Sequence, residues 1–139
     1  LRSAVLLVSV STADIESGVA FTQIKLDGTI ITSSTIDLFF EKLGQHFLKV
    51  ETSDRAGNPS RRQIDFRVIA TKESMISDVQ RSFSLGWIDN QGVAMSLVQK
   101  AKQSQWEAFF NELEAQKGKH INEQAFQILK EDIDWILVD

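Results

Sequence analysis

The spacing of apolar residues changes near Ala70, and this change constrains the fold more than any other feature of the sequence. Before it, apolar residues alternate with polar ones or form short blocks bounded by Gly, Asn and Ser, a pattern typical of strands and tight turns. After it, they recur every three or four residues in longer segments, which is the pattern of amphipathic helices. The sequence therefore predicts two units in tandem, an all-β unit over residues 1–70 and an all-α unit over residues 71–139.

The two halves also differ in charge. Residues 1–70 carry eight Lys and Arg against eight Asp and Glu, whereas residues 71–139 carry seven against eleven, which accounts for the net charge of −4. This acidic balance, without a basic stripe, does not supply the positive surface that nucleic acid or an anionic membrane requires. We therefore expect neither as a partner. Because the chain has no cysteine, disulfides, thiolate zinc sites and thiol catalysis are excluded.

The first apolar run, Ala4–Val8, is too short for a signal peptide and leads directly into turn residues. It predicts a first strand. No segment approaches the roughly 20 apolar residues that a membrane-spanning helix needs, so we expect no membrane insertion. Because the chain begins with Leu1 rather than Met, we expect it to be a piece of a larger protein.

Turn residues separate the strands predicted in the first half. Asp27-Gly28 follows the segment Val19–Leu26, whose alternation slips once, and is a strong signal for a type I′ hairpin. A further strand is predicted over Ile36–Phe40. The run Asp54–Pro59 forms another turn, before a last strand in which the apolar residues of Ile64–Val68 face inward. About six short strands with regular turns fit a small β-sandwich.

The second half predicts four helices, each with an apolar stripe, and their short connections favour a compact antiparallel bundle. Ser74 and Asn122 are the predicted N-caps of the first and fourth helices. The inward residues are Ile76, Val79 and Phe83 in the first helix; Val93 or Ala94, Leu97, Val98 and Ala101 in the second; Trp106, Phe109, Phe110 and Leu113 in the third; and Phe126, Leu129, Ile133 and Ile136 in the fourth.

Several motifs of the first half resemble one family. They are Asp54-Arg55-Ala56-Gly57-Asn58, Asp14-x-Glu-Ser-Gly, Leu26-Asp-Gly and Gly44-Gln45-His46. Together they resemble the bacterial Ig-like modules of secreted multidomain proteins, which implies an Ig-like β-sandwich over residues 1–70. The run Phe39-Phe40-Glu41-Lys42-Leu43 departs from that family, which more often has small and polar residues there. We expect these phenylalanines either to fill a core or to form a docking patch.

Two stretches of the second half carry another resemblance. They are Gly86-Trp87-Ile88-x-Asn90-x-Gly92-Val93-Ala94 with Ser96-Leu97, and the segment from Phe109-x-Asn111 to Ile121. With a late helix rich in Leu and Ile, they resemble FIMAH, a helical module found at the C-termini of large secreted bacterial hydrolases and lyases. The resemblance implies an extracellular or cell-surface location and a non-catalytic accessory role on an enzyme that acts on polysaccharide.

The sequence shows no catalytic constellation, and we expect no catalytic residues. His46 and His120 are the only imidazoles, they lie in different halves, and neither adjoins a Ser or Cys nucleophile signature. We interpret both as packing or capping residues. Two pairs of carboxylates lie two residues apart on predicted helices, so that their members face different ways, and are interpreted as solvated faces rather than a glycosidase pair: Glu112 with Glu114, and Asp132 with Asp134.

Calcium is the one metal that the sequence suggests. Asp14, Glu16 and Asp54 lie in turns that a sandwich could bring to the same end, and carboxylate oxygens suit calcium. The alternative is that each aspartate accepts backbone N–H bonds within its own turn, since the spacing matches no calcium loop. We expect no cofactor, with calcium at these three residues as the open alternative.

All three tryptophans, Trp87, Trp106 and Trp135, lie in the second half. Core packing is the default for each, whereas an exposed Trp87 or Trp135 would be available for ligand contact. The favoured function is a structural spacer that contacts other domains of the parent protein. The alternatives are a carbohydrate-binding module, whose partner is polysaccharide, and a protein-docking module that uses the acidic helical face.

Overall fold

The computed structural model describes residues 1–10 and 18–138, apart from the side chains of Val19 and Ala20. Within this part of the chain, strands come first and helices follow, in the order that the hydrophobic pattern predicts. The strands are β1 (Val5–Leu7), β2 (Val19–Leu26), β3 (Thr29–Ile31), β4 (Thr35–Asp37), β5 (Gly44–Asp54) and β6 (Pro59–Val68). The helices are α1 (Lys72–Ser84), α2 (Gln91–Lys102), α3 (Trp106–Gln116) and α4 (Glu123–Val138).

The chain divides into two compact units. The strand unit consists of Val5–Asp37 and Gly44–Val68, and the helical unit consists of Leu1–Ala4, Leu38–Leu43 and Ile69–Asp139. Two segments from the first half of the sequence, Leu1–Ala4 and Leu38–Leu43, therefore lie in the helical unit, although a division at Ala70 assigns them to the strands. As a result, the chain passes from one unit to the other at four places.

The strand unit contains two antiparallel sheets. One pairs β1 with β4, and the other has the strand order β3-β2-β5-β6. Asp27 and Gly28 connect β2 to β3 with φ values of 49° and 85°, as the predicted type I′ turn requires. The register of β2 on β5 shifts between Val19 and Phe21, whereas the alternation slips between Phe21 and Ile24, so the irregularity lies nearer the start of the strand than the sequence predicts.

The strand predicted over Ile36–Phe40 is wrong beyond Asp37. A 3-10 turn follows at Leu38–Phe40, and Leu38 and Phe39 are both buried. Consecutive residues of a strand point to opposite faces, whereas a helical turn lets two neighbours pack into the same core. The backbone fixes this turn, since the Leu38 N–H donates to the Ala4 carbonyl at 3.0 Å and the Glu41 N–H donates to the Leu38 carbonyl at 3.2 Å.

The inward face predicted for β6 is only partly buried. Val68 is buried and Phe66 is half-buried, but Ile64 is 57% exposed. Since β6 lies at the edge of the four-stranded sheet, its side chains have strand neighbours on one side only. Few side chains of the strand unit are fully buried among the described residues, namely Leu26, Ile36, His46, Leu48 and Val68.

Side chains from all four helices form one core in the helical unit. The predicted stripes of α2 and α4 are confirmed, since Val93, Ala94, Leu97, Val98 and Ala101 are buried on α2, and Phe126, Leu129 and Ile133 on α4. Ile88 and Ile121, from the connections between helices, complete the core and pair through their backbones. None of the described helices combines the length and the apolar character needed to cross a membrane.

The helix caps show one confirmed prediction and one correction. Asn122 caps α4, because its Oδ1 accepts the Ala125 N–H at 2.9 Å. Ser74 is not the N-cap of α1. Thr71 is, and the two residues form a capping box in which each side-chain hydroxyl accepts the other's backbone N–H, at 3.2 and 2.8 Å.

The apolar stripe predicted for α1 is wrong at its end. Val79 is buried, but Phe83 is 38% exposed, and Asp78 and Ser82 are buried in its place. The buried face of α1 thus includes an ionisable side chain, that of Asp78. Hydrophobic periodicity cannot predict that arrangement, because it assigns a carboxyl group to the solvent face by default.

Two leucines of α4 provide a test of this core. We expect Leu129→Ala to lower the free energy of unfolding by about 2–5 kcal/mol, because Leu129 is fully buried and its truncation leaves a cavity. Leu137, on the same helix, is 62% exposed, and Leu137→Ala should change that free energy by no more than about 0.5 kcal/mol. Urea denaturation followed by circular dichroism measures both. Equal losses would contradict the packing of α4.

Candidate functional site

The side chain of Arg2 is buried within the helical unit, where it is 1% exposed. Its Nη1 donates to Oδ1 of Asp132 at 2.7 Å and to the Ile128 carbonyl at 3.1 Å, both on α4. Its Nη2 donates to the Glu41 carbonyl at 2.9 Å and to the Glu131 carboxylate. A buried charge is costly unless it is paired and hydrogen-bonded, so these contacts determine whether Arg2 can occupy this position.

Backbone hydrogen bonds fix the segments around Arg2. The Arg2 N–H donates to the Ile69 carbonyl at 3.0 Å, and the Ala4 N–H donates to the Leu1 carbonyl at 3.0 Å. The second carboxylate oxygen of Glu131 accepts the Leu43 N–H at 3.4 Å. Arg2 and Glu131 therefore join Leu1–Ala4 and Leu38–Leu43 to α4.

Asp78 of α1 and Asp132 of α4 form a buried pair beside Arg2. Their side chains are 1% and 0% exposed, and they lie close enough for each carboxyl group to act on the pKa of the other. Among the described residues, both oxygens of Asp78 and Oδ2 of Asp132 are buried without a hydrogen-bond partner. Burial and mutual repulsion both disfavour two ionised carboxylates side by side, so a proton on one of them lowers the cost of burying the pair.

The pKa values of this pair are raised. Burial, and then the charge of Asp132 and the hydrogen bond to it, raise the pKa of Asp78 to about 8, against the opposing charges of Arg2 and Arg81. Burial raises the pKa of Asp132 to about 6, against the opposing effects of Arg2 and of the hydrogen bond with Asp78. The two carboxyl groups therefore titrate as a coupled pair that retains a proton more readily than either group in water, and the Arg2 guanidinium at 2.7 Å favours the ionised form of Asp132.

Aspartic proteases use two aspartates that share a proton as their catalytic groups, but the surroundings of Asp78 and Asp132 differ from those of such a catalytic pair. Asp78 and Asp132 are closed to solvent, and one oxygen of Asp132 is taken by the Arg2 guanidinium. A substrate cannot reach them without displacing α1, α4 or the first segment. The arrangement is therefore suited to holding segments together and to exchanging a proton, rather than to attacking a substrate.

An open cleft of about 470 Å³ lies beside Arg2. Its walls are the segment Phe39–Lys42 and the face of α4 that carries Gln127, Ile128, Lys130, Glu131 and Asp134. Phe40 is 56% exposed at this cleft, while Lys130 and Asp134 form an ion pair with Nζ and Oδ2 2.6 Å apart. The cleft thus combines one accessible aromatic ring with hydrogen-bonding side chains.

Phe39 and Phe40 have different environments. The buried ring of Phe39 stacks on Trp87 with a centroid distance of 5.7 Å, whereas Phe40 meets Phe39 and Trp87 edge-on at 5.2 and 6.0 Å. The Arg81 guanidinium lies 4.8 Å from the Phe39 centroid and 5.4 Å from that of Phe40. Phe39 therefore fills a core, as one expectation had it, while Phe40 remains accessible.

The residues predicted to contact a ligand are partly accessible. Trp87 and Trp135 are both half-buried, and Trp87 packs against the core of the helical unit. Of the candidate calcium ligands, Asp14 and Glu16 lie outside the described residues. Asp54 accepts the backbone N–H and the side-chain amide of Asn58, both at 2.7 Å, which is the bonding of an aspartate that caps its own turn.

Each of the two histidines is paired with a carboxylate. His46 is buried in the strand unit with Nδ1 2.7 Å from Oδ2 of Asp27, and the other oxygen of Asp27 accepts the Phe47 N–H at 2.8 Å. Although partial burial acts to raise it, the bonds from Phe47 and His46 lower the pKa of Asp27 overall. His120 is exposed in the helical unit, with Nδ1 2.7 Å from Oδ1 of Asp89.

Sequence reasoning does not single out Arg2 or Asp78, and the solvated face that it predicts for Asp132 is wrong. Asp132 is fully buried because it lies next to Ile133 on the inward stripe of α4. Asp78 likewise adjoins Val79 on α1. A charged residue at an inward position on each of two helices is the signal that could have identified the pair, since each then needs a buried partner.

The calcium alternative can be tested at Asp54. We expect millimolar calcium to leave the melting temperature unchanged relative to EDTA, because both carboxylate oxygens of Asp54 already accept hydrogen bonds. Differential scanning calorimetry measures this, with Asp54→Asn as the matched control. A calcium-dependent rise in the native chain that is absent from the variant would contradict turn capping as the role of Asp54.

Comparison with known proteins adds no assignment to this geometry. The chain matches no protein-family model, no curated protein and no solved structure.

Proposed function

We propose that this chain is a non-catalytic accessory region from the C-terminal part of a secreted bacterial enzyme that acts on polysaccharide, and that it serves there as a structural spacer. Its location is extracellular or at the cell surface. The strand unit is an Ig-like sandwich, and the helical unit is a FIMAH-type bundle. In this role the chain holds a catalytic domain at a set distance from its substrate or from the cell surface, without a cofactor.

The motifs of the resemblance support this assignment where they meet the observed elements. β5 begins at Gly44, where the Gly-x-His stretch lies, and ends at Asp54, where the Asp-x-Ala-Gly-Asn turn begins. The Gly86-Trp87-Ile88 stretch leads from α1 to α2, and Ile88 belongs to the core of the helical unit. In the bacterial Ig-like family the Gly-x-His stretch opens the penultimate strand and the Asp-x-Ala-Gly-Asn turn closes it, and these positions in β5 support the proposal for the strand unit.

The observation that supports the spacer role is the set of buried ion pairs and hydrogen bonds that Arg2 makes with α4 and with the Glu41 carbonyl. A spacer must keep its form when its ends are pulled, so its segments must be fixed by bonds that are costly to break. Removal of one partner from a buried ion pair typically costs about 3–5 kcal/mol. In addition, the chain passes between the strand unit and the helical unit at four places, so the two units are connected by more than one linker.

Limited proteolysis tests the spacer role. We expect the native chain to resist a protease of broad specificity at the four crossings, which follow Ala4, Asp37, Leu43 and Val68. The reason is that cleavage needs a locally unfolded backbone. Mass spectrometry identifies the cleavage sites, and the urea-unfolded chain is the control. Early cleavage at these crossings, with release of two separately folded units, would contradict the proposal.

Carbohydrate binding is a second candidate, and the exposed ring of Phe40 favours it. Sugar rings stack on accessible aromatic faces, and the side chains that fix their orientation are hydrogen-bonding groups beside such a face. Gln127, Lys130 and Asp134 offer those groups in the same cleft. The ligand contacts expected of Trp87 and Trp135 would then be secondary to Phe40, since both tryptophans are half-buried.

Affinity electrophoresis in polysaccharide gels separates the two candidates. If the cleft binds glycan, the native chain is retarded, and Phe40→Ala abolishes the retardation because it removes the stacking face. Phe83→Ala is the matched control, since Phe83 is also an exposed phenylalanine but does not line the cleft. Indifference of the native chain to every glycan tested, in gels and on arrays, would reject carbohydrate binding and leave the spacer role.

A further inference from the structure

Three charged side chains act on the Asp78–Asp132 pair. Arg2, from the first segment, and Arg81, from α1, favour ionisation of Asp78. Glu131, from α4, opposes ionisation of Asp132. Arg2 donates a hydrogen bond to the pair, through the 2.7 Å contact to Oδ1 of Asp132. Arg2 and a proton are therefore alternative ways to neutralise the same buried carboxyl group.

We propose that Arg2 and the Asp78–Asp132 pair form a proton-controlled latch, in which uptake of a second proton by the pair releases the segment Leu1–Ala4 from the helical unit. With one proton on the pair, Asp132 carries the negative charge that Arg2 needs. With two protons, the pair is neutral, and Arg2 would remain buried with the half-exposed Glu131 as its only anionic partner among the described residues. The latch does not depend on the function proposed above.

Linkage gives the direction of the effect. Arg2 lowers the pKa of both carboxyl groups, so its docking favours loss of a proton from the pair. By reciprocity, protonation of the pair must weaken docking of Arg2 by the same factor. Since the pKa of Asp132 is about 6 with Arg2 docked, the second proton enters as the pH falls through about 6.

Release of the segment differs from acid unfolding. Folding raises the pKa of both Asp78 and Asp132 above the ordinary value of 3.8, so between about pH 4 and about pH 8 the packed pair binds more protons than the unfolded chain. The contribution of this pair to the stability of the α1–α4 contact therefore grows as the pH falls in that window, and declines as the pH rises toward 8. As the pH falls, the segment Leu1–Ala4 therefore becomes easier to release, while the contact between α1 and α4 becomes more stable.

The first measurement is an NMR titration of the Asp78 and Asp132 carboxyl carbons. Arg2→Gln should raise the apparent pKa values of the pair by about one to three units, because an opposite charge in contact is lost. Arg61→Gln is the matched control, since Arg61 lies in the strand unit with its side chain 73% exposed. Apparent pKa values that are the same in Arg2→Gln and in the native chain would overturn the latch.

The second measurement is amide exchange, corrected for the intrinsic effect of pH. Protection of the Arg2 N–H, which donates to the Ile69 carbonyl, should fall by about tenfold between about pH 7 and about pH 5, while protection of the Leu129 N–H on α4 is retained. Equal protection of the Arg2 N–H at both pH values, or parallel loss at Leu129, would overturn the proposal.

Two isosteric variants separate the roles of the carboxyl groups. Asp132→Asn removes the anion and should leave the Arg2 N–H unprotected at both pH values. Asp78→Asn keeps a donor toward Asp132 and should preserve the pH dependence. Circular dichroism establishes that each variant is folded. If Asp132→Asn is unfolded, the latch is still tested by the carboxyl titration of Arg2→Gln and by the amide exchange of the native chain. Protection of the Arg2 N–H in a folded Asp132→Asn variant contradicts the latch.

Discussion

A guanidinium cannot lie in a protein interior without anions and carbonyl groups around it, and this requirement organises the helical unit. Arg2 draws the ionised Asp132 from α4 and the backbone carbonyl of Glu41 toward one point. Asp132 in turn lies beside Asp78 of α1. The buried cation of Arg2 thus accounts for the buried anion of Asp132, and that anion favours a proton on Asp78. Polar groups from three separate parts of the sequence thus depend on a single cation.

The two units are stabilised in different ways. In the helical unit, four helices share one apolar core, to which the polar cluster around Arg2 adds fixed geometry. The strand unit has few fully buried side chains among its described residues, and its order comes more from backbone pairing, above all in the long β5–β6 hairpin. Its buried polar contact, His46 with Asp27, ties that hairpin to the β2–β3 turn.

Much of this architecture could be predicted from the sequence, because it follows from local rules. The Asp27-Gly28 turn depends on the φ preferences of two residues, and the stripe of α4 on helical periodicity. The errors arise where a distant partner overrides the local pattern. Phe39 leaves the strand pattern because a core is available to it beside Trp87, and Asp132 leaves the solvent because Arg2 compensates it. Neither partner can be identified from spacing along the chain.

The interleaving of the two units along the chain bears on how such a region can be exchanged between proteins. A cut at Ala70 falls between the last strand, β6, and the first helix, α1. It would nevertheless remove Arg2 and Phe39 from the helical piece, since both belong to it in space but precede the cut in sequence. Asp132 would lose its cation, and Trp87 would lose the ring on which it stacks. Recombination or gene truncation at that point would therefore yield an incomplete helical module.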